Sequence, residues 1–112
     1  MHEISVNTKY YNLLKSGAKT VELRLFDDKR RAIAVGDAIL FRDNANPADS
    51  FIAKVVALHR AADFSELCAG VPPAKAGFAD KQELLAVMNS FYAQAEQGRF
   101  GVVGIEIAKA AG

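Results

Sequence analysis

The spacing of apolar and polar residues changes several times along the chain, and each change predicts a secondary-structure element. Residues 4–6 predict a short strand. Residues 8–16 carry apolar positions at helical spacing, which predicts a helix. Asn7 or Thr8 can cap the start of this helix, and Gly17 stands where a left-handed residue commonly ends one.

Residues 19–26 alternate strictly between two kinds of side chain, which predicts a strand with two distinct faces. One face carries Lys19 and then only apolar residues. The other carries Thr20, Glu22, Arg24 and Phe26. The pattern alone favours an ordinary outward polar face, with the charges solvated or paired with neighbours. The alternative is that this row forms one wall of a binding site.

The rest of the chain predicts more strands than helices. Strands are expected over residues 38–42, 51–60 and 100–107, and the first of these is expected to be buried on both faces. Two helical segments are expected as well: a single turn capped by Asp63, and a longer helix from Asp80 to Gly98. Residues 27–31, 43–50 and 70–77 are expected as polar connections or surface loops. This order predicts a small barrel-like α+β fold, mostly antiparallel, with helices covering the ends of the sheet and one domain spanning residues 1–112.

Lys19 is the first candidate for chemistry because it follows the predicted helix stop and opens an apolar strand face. Partial desolvation of a lysine there would favour its neutral amine, which can act as a base or nucleophile. A charged Lys19 could instead hold a phosphate.

The run Lys29-Arg30-Arg31 is the second candidate. Such a run is most often a solvated turn, but it can also contact the phosphates of a nucleic acid. The nearby rings of Tyr10, Tyr11 and Phe26 could stack on single-stranded bases. We expect at least one of the two tyrosines to pack inside the fold instead.

Composition and charge indicate where the positive charge lies along the chain and in which compartment the protein is expected. The chain has 112 residues, 51% of them hydrophobic, and a net charge of +1. Residues 1–31 hold seven Lys/Arg against four acids, and the remainder holds seven against nine, so the positive charge lies early in the chain. Cys68 is the only cysteine and no apolar run could span a bilayer, which together predict a cytoplasmic protein with no membrane partner.

The sequence predicts neither a metal site nor a cofactor. His2 and His59 are far apart, and no cysteine stands at ligand spacing from either of them. The glycines near residue 101 precede a strand and not a helix, so they form no dinucleotide-binding fingerprint.

Several stretches in this order resemble the ASCH domain family of the PUA-like superfamily. They are Ser16-Gly17-Ala18 followed by Lys19-Thr20-Val21-Glu22-Leu23-Arg24, the basic connection, residues 35–41, residues 64–67, Phe91-Tyr92 and residues 101–106. The resemblance covers nearly the whole chain. It implies a β-barrel flanked by helices, with a cleft where the Gly-x-Lys-Thr strand meets the helices.

The same resemblance implies roles connected with RNA. RNA binding is the general expectation for the family, and some members resemble nucleases of single-stranded RNA. One bacterial branch hydrolyses the amide of N4-acetylcytidine with a lysine, a threonine and a glutamate. Lys19 matches the lysine, Glu22 stands at the position of the threonine, and Gly77 aligns with the glutamate.

The first function predicted is binding of RNA or a modified, nucleoside-like ligand in this cleft. Lys19, Arg24 and residues 29–31 would meet the ligand, Glu22 would recognise a base edge or accept a proton, and Thr20 and Tyr11 would add further contacts. The alternative is a hydrolase, either an acylated cytidine amidohydrolase or a single-strand ribonuclease, that uses Lys19 with Glu22 or another carboxylate. A third hypothesis is a protein-interaction module without a small ligand.

Overall fold

The computed structural model describes residues 1–110, which form five strands and five helices. The strands are β1 (His2–Val6), β2 (Val21–Leu25), β3 (Ala38–Asp43), β4 (Ser50–Ala61) and β5 (Val102–Lys109). The helices are α1 (Thr8–Ser16), α2 (Asp28–Arg31), α3 (Phe64–Leu67), α4 (Lys81–Phe91) and α5 (Gln94–Phe100), and Pro73–Ala76 form a 3-10 turn. None of the helices in this part of the chain is long and apolar enough to cross a membrane.

All five strands belong to one mixed sheet in the order β1-β3-β4-β5-β2. Only β1 and β3 pair in parallel, and the other three pairs are antiparallel. β1 and β2 are therefore the two edges of the sheet. The Arg24 side chain on β2 reaches the carbonyl of Ser5 on β1 at 2.9 Å, so the sheet curls until its edges approach each other. The predicted α+β, barrel-like fold is confirmed as a curved half-barrel.

The two faces of this curved sheet bury separate apolar clusters. The concave face holds the inner cluster, which includes Ile39, Phe41, Val55 and Ile105. The convex face of β2, with Val102, holds the outer cluster, which also includes Phe64 of α3 and Leu84 of α4. Every charged side chain on β2 must therefore point towards one of two buried regions.

Several local predictions are confirmed with their caps. α1 spans residues 8–16 and is capped by the Asn7 side chain, which accepts a hydrogen bond from the Lys9 amide. Gly17 ends the helix at a φ of 87°, the left-handed region that favours glycine. Asp63 caps α3 by accepting a hydrogen bond from the Glu66 amide.

Three predictions about the segments between the long elements are wrong. Residues 28–31 form α2 because the Asp27 carboxylate accepts from the Arg30 amide and caps a helical turn. The stretch 70–77 is not a plain surface loop, since it holds the 3-10 turn and buries Val71 and Ala76. β3 is buried on one face only, because alternate residues along it remain half-exposed.

The long helix predicted from Asp80 to Gly98 is two helices. α4 begins after Asp80 as predicted, but the backbone becomes extended at Tyr92 and α5 follows. The buried Gln97 amide donates to the Tyr92 carbonyl and to Asn89 Oδ1, which holds the break in place. Consequently Phe91, expected on a buried stripe, is 58% exposed, and α5 ends at Gly101 instead of Gly98.

Candidate functional site

A cavity of about 410 Å³ opens between the two edge strands of the half-barrel, and we call it the seam pocket. β1 and β2 form its sides, and α1 and α4 contribute to its walls. Its lining residues are Ser5, Val6, Asn7, Tyr10, Lys19, Glu22, Leu23, Arg24, Asn44, Phe78, Met88, Phe91 and Tyr92. Three of the predicted site residues, Lys19, Glu22 and Arg24, meet on its wall.

These three residues form a connected set of charges, the charge triad. Lys19 Nζ lies 3.0 Å from Glu22 Oε1. Arg24 donates to Glu22 Oε2 from Nε at 2.9 Å and from Nη2 at 2.8 Å. Lys19 and Glu22 are only 3% and 4% exposed. Each oxygen of the buried carboxylate therefore has a cation of its own, as a buried charge requires.

Lys19 reaches Glu22 because it lies before the strand and not in it. β2 begins at Val21, so the alternation of the strand does not fix the direction of the Lys19 side chain. The Lys19 amide donates to the Leu13 carbonyl of α1, and its ammonium donates to the Ala76 carbonyl at 2.9 Å. The loop after Gly17 and the 3-10 turn thus hold Lys19 from both ends.

Gly77 leaves the space that the Lys19 side chain occupies. Its φ is 89°, and a Cβ there would lie 3.2 Å from Lys19 Cδ and 3.3 Å from a methyl carbon of Leu13. A larger residue would be strained in its backbone and would crowd the lysine.

The outward polar face expected for β2 is wrong. Glu22 pairs with Ile105 across the β2–β5 ladder, and directly opposed residues point to the same face. Ile105 belongs to the inner cluster, so Glu22 and Arg24 point into the concave side of the half-barrel. Val21, Leu23 and Leu25 are buried as expected, but in the outer cluster and without Lys19.

The charge triad shifts the ionisation of its own members. Burial would raise the pKa of the Glu22 carboxyl, but the charges of Lys19 and Arg24 outweigh burial and lower that pKa below its ordinary value. Burial opposes the charge on Arg24, yet Glu22 and the neighbouring Tyr92 hydroxyl raise its pKa. Glu22 is therefore a carboxylate and Arg24 a guanidinium at neutral pH.

Aromatic rings form the other walls of the seam pocket. The Tyr10 and Phe78 ring centroids are 5.5 Å apart, and Lys19 Nζ lies 5.2 Å and 5.8 Å from them respectively. Burial and the carboxylates of Glu83 and Glu22 raise the pKa of Tyr10, which keeps its phenol protonated. The lysine charge is thus stabilised by ring faces as well as by Glu22.

Sequence reasoning missed Phe78, Met88 and Tyr92 as wall residues. Phe91-Tyr92 carried part of the family resemblance, which was the one signal for that wall. Met88 looked like ordinary core spacing, and Phe78 lay in a stretch without periodicity.

The structure places the other predicted site residues away from the seam pocket. Tyr11 is fully buried in the inner cluster, where its hydroxyl donates to Asp49 Oδ1 at 2.8 Å. Thr20 is held through its backbone, which donates to the Lys75 carbonyl and accepts from the Ile107 amide. Lys29 and Arg30 line a separate cavity of about 40 Å³ near the start of β1. Arg31 packs on the Phe26 ring.

No metal centre accompanies these groups in the described part of the chain. Within residues 1–110 no group of three or more His, Cys, Asp or Glu side chains is placed to hold a metal ion.

Comparisons with solved structures give relatives of nearly the same length. The crystal structure of the hypothetical protein PH0355 is similar over 96% of this chain and 97% of its own, with 30% identity and a TM-score of 0.84. The solution structure of protein PF0455 from Pyrococcus furiosus is similar over 99% and 98%, with 27% identity and a TM-score of 0.76.

An ASCH protein from Zymomonas mobilis shares the fold at lower identity. Its crystal structure matches 95% of this chain and 65% of its own, with 18% identity and a TM-score of 0.64. A search of curated proteins found no match to the chain. The ASCH domain family model matches residues 4–110, which is almost the whole chain. The chain therefore belongs to the ASCH domain family, and its half-barrel is a PUA-like fold.

Proposed function

We propose that the seam pocket binds a nucleoside-like ligand, either free or as one nucleotide of an RNA strand. The observation that carries the proposal is the buried charge triad on the wall of a pocket that also presents aromatic rings. The cavity volume of about 410 Å³ lies in the range of small-molecule sites. Tyr10, Phe78 and Tyr92 offer the ring surface on which a base can stack.

The charge triad has a net charge of +1, because one carboxylate faces two cations. Arg24 donates from Nε and Nη2 to Glu22 and Ser5, and the Tyr92 hydroxyl is a further polar neighbour of its guanidinium on the pocket wall. A guanidinium held at one edge presents its other edge as a fixed donor. This favours a ligand that brings a carbonyl, ring-nitrogen or phosphate acceptor.

The low proton affinity of the Glu22 carboxylate favours a role in ligand binding over a role in proton transfer. Both of its oxygens are engaged by cations, and its pKa is lowered. Such a carboxylate is a weak base, but it is a firm anchor that orients Lys19 and Arg24 towards a ligand.

A titration of the whole chain with uridine, cytidine, N4-acetylcytidine, adenosine and guanosine tests this proposal. At least one nucleoside should bind saturably and perturb the amide signals of residues on the pocket wall. Arg24→Gln should weaken that binding roughly tenfold, since it removes a charged hydrogen-bond donor. Lys54→Gln, an exposed charge on β4, is the matched control and should bind as the wild type does.

The proposal fails if none of the five nucleosides binds saturably. It also fails if Arg24→Gln and Lys54→Gln bind equally well.

A second candidate is hydrolysis by Lys19 together with Glu22. The contact of 3.0 Å between Lys19 Nζ and Glu22 Oε1 favours it, because a proton shared by such a pair can be passed to a leaving group. The substrates to test are N4-acetylcytidine and single-stranded RNA. Turnover that Lys19→Met lowers far more than it weakens nucleoside binding would support the hydrolase. Intact substrates after incubation with the wild type would exclude it for these two classes.

A further inference from the structure

A second cationic surface lies beyond the seam pocket and is assembled from three separate parts of the chain. Arg31 on α2 and Arg60 on β4 both stack on Phe26, with guanidinium carbons 4.5 Å and 4.1 Å from the ring centroid. Arg31 Nη2 also reaches the Phe100 carbonyl at 3.5 Å. Arg99 lies over the Phe100 ring at 4.9 Å. We call Arg31, Arg60 and Arg99 the arginine cluster.

The arginine cluster carries uncompensated charge. All three side chains are exposed, and none forms an ion pair within residues 1–110. Of the acids near them in sequence, Asp27 pairs with Arg30 and Asp63 caps α3, while Asp28 and Glu96 form no ion pair with these arginines within residues 1–110. The aromatic rings thus order the guanidinium groups without neutralising them, so their donors remain available to an anion.

The ladder places the arginine cluster next to the seam pocket. Arg24 pairs with Val103 on β5, and Val103 pairs with Arg60 on β4, so the three residues form one row across the sheet. Two interstrand spacings separate Arg24 from Arg60, which is about 10 Å between their Cα atoms. Phe26, the ring beneath Arg31 and Arg60, lies two residues after Arg24.

We propose that the arginine cluster binds the phosphate groups of a single-stranded RNA whose adjoining nucleotide occupies the seam pocket. The proposal rests on the proposed function of the pocket. Ordered guanidinium groups bind phosphate oxygens with charge-assisted hydrogen bonds, and such contacts position a strand without reading its sequence. The pocket then receives one base, and the arginine cluster holds the backbone that leaves it.

The test compares two double variants that lose the same charge. Arg31→Gln with Arg60→Gln removes two members of the cluster, and Lys54→Gln with Lys81→Gln removes two exposed lysines elsewhere. Binding of a single-stranded RNA oligomer is measured over a range of salt concentrations. For the arginine double variant, the slope of log K against log salt should become less steep by about 1.4, which corresponds to two lost phosphate contacts. The lysine pair should leave that slope nearly unchanged.

The same oligomer and nucleoside titrations separate this proposal from the function of the pocket. The arginine variants should bind a free nucleoside as the wild type does, since they leave the pocket wall intact. The oligomer could bind through the arginine cluster while no free nucleoside binds. That result would support phosphate binding by the cluster and overturn nucleoside binding by the seam pocket. Equal slopes for the two double variants, or no oligomer binding at low salt, would overturn the cluster.

Arg99→Gln covers the case in which the double variant does not fold. Arg99 stacks on the neighbouring Phe100 ring, whereas the cations over the Phe26 ring within residues 1–110 are Arg31 and Arg60. It should keep the wild-type melting temperature and flatten the salt slope by about 0.7. If the folded Arg99→Gln variant shows the same salt slope as the wild type, Arg99 does not contact the RNA, and the proposal is contradicted.

Discussion

The two faces of β2 bury side chains of opposite character in the same five residues. The convex face buries Val21, Leu23 and Leu25 under α3 and α4. The concave face carries Glu22 and Arg24, which are joined by Lys19 from just outside the strand. Apolar side chains are stabilised simply by leaving water, whereas buried charges are stable only while every partner remains in place. Substitutions on the convex face should therefore lower the stability in proportion to the apolar surface they remove. On the concave face, the loss of a single charge should lower the stability sharply.

The largest effect is expected from Glu22→Gln, which keeps the shape of the side chain and removes its charge. Lys19 and Arg24 would then face each other in a buried site with no anion between them. Loss of one member of a buried ion pair costs about 3–5 kcal/mol. Urea unfolding followed by circular dichroism measures this loss.

A double variant checks the cause of that loss. Lys19→Met combined with Glu22→Gln should be at least as stable as Glu22→Gln alone, since it removes one of the two stranded cations. A loss below about 1 kcal/mol for Glu22→Gln, typical of a surface ion pair, would contradict the comparison of the two faces.

Acid should remove the stabilisation from Glu22 in the wild type without any substitution. The folded-state pKa of Glu22 lies below its ordinary value of 4.5, so the unfolded chain takes up the proton first as the pH falls. The stability that Glu22 contributes is complete above pH 4.5 and decreases as the pH falls through the lowered folded-state pKa. The gap in unfolding free energy between wild type and Glu22→Gln should be constant near neutral pH and shrink in acid. A gap that widens in acid would mean that the pKa is raised.

Leu25→Ala probes the convex face of the same strand at a position that does not line the seam pocket. Truncation of a buried leucine costs about 2–5 kcal/mol. Because the outer cluster holds no charge partner, the ion pair between Lys19 and Glu22 should survive. Nucleoside affinity under folding conditions should stay closer to that of the wild type than for Arg24→Gln. A larger loss of affinity for Leu25→Ala than for Arg24→Gln would mean that the two faces are not independent.

Two glycines with nearly equal backbone angles give the smallest and most closely matched comparison. Gly17 and Gly77 have φ values of 87° and 89°, so alanine strains the backbone alike at both, by about 1–2 kcal/mol. Only at Gly77 would the new Cβ contact Lys19 and Leu13. Gly77→Ala should therefore lose more stability than Gly17→Ala and should also weaken ligand binding. Equal effects in thermal melts and titrations would show that Lys19 does not depend on that space.

The accuracy of the sequence predictions follows the range of the interactions behind them. The bounds of α1, its stop at Gly17 and the Asp63 cap were predictable because each depends on neighbours within four residues. The break at Tyr92 was not, since it depends on the Gln97 amide and on an extended backbone that no glycine or proline marks.

The candidate site was predictable in its residues but not in its geometry. Alternation placed Glu22 and Arg24 on one face, yet period two cannot tell which face of a curved sheet meets the core. The basic run was interpreted as one unit, whereas Arg30 pairs with Asp27 and Arg31 joins arginines about thirty and seventy residues away.

The position of β2 in the sheet has a consequence for how the protein folds. β2 has one hydrogen-bonded neighbour, β5, and that ladder joins Val21 to Glu106 across most of the sequence. Closing so long a loop costs conformational entropy before any contact repays it, so we expect the docking of β2 on β5 to be late and slow. Before that step, β2 is not hydrogen-bonded to β5, and Glu22 and Arg24 are not yet enclosed on the concave side of the half-barrel. Assembly of the charge triad should therefore coincide with the last cooperative step of folding.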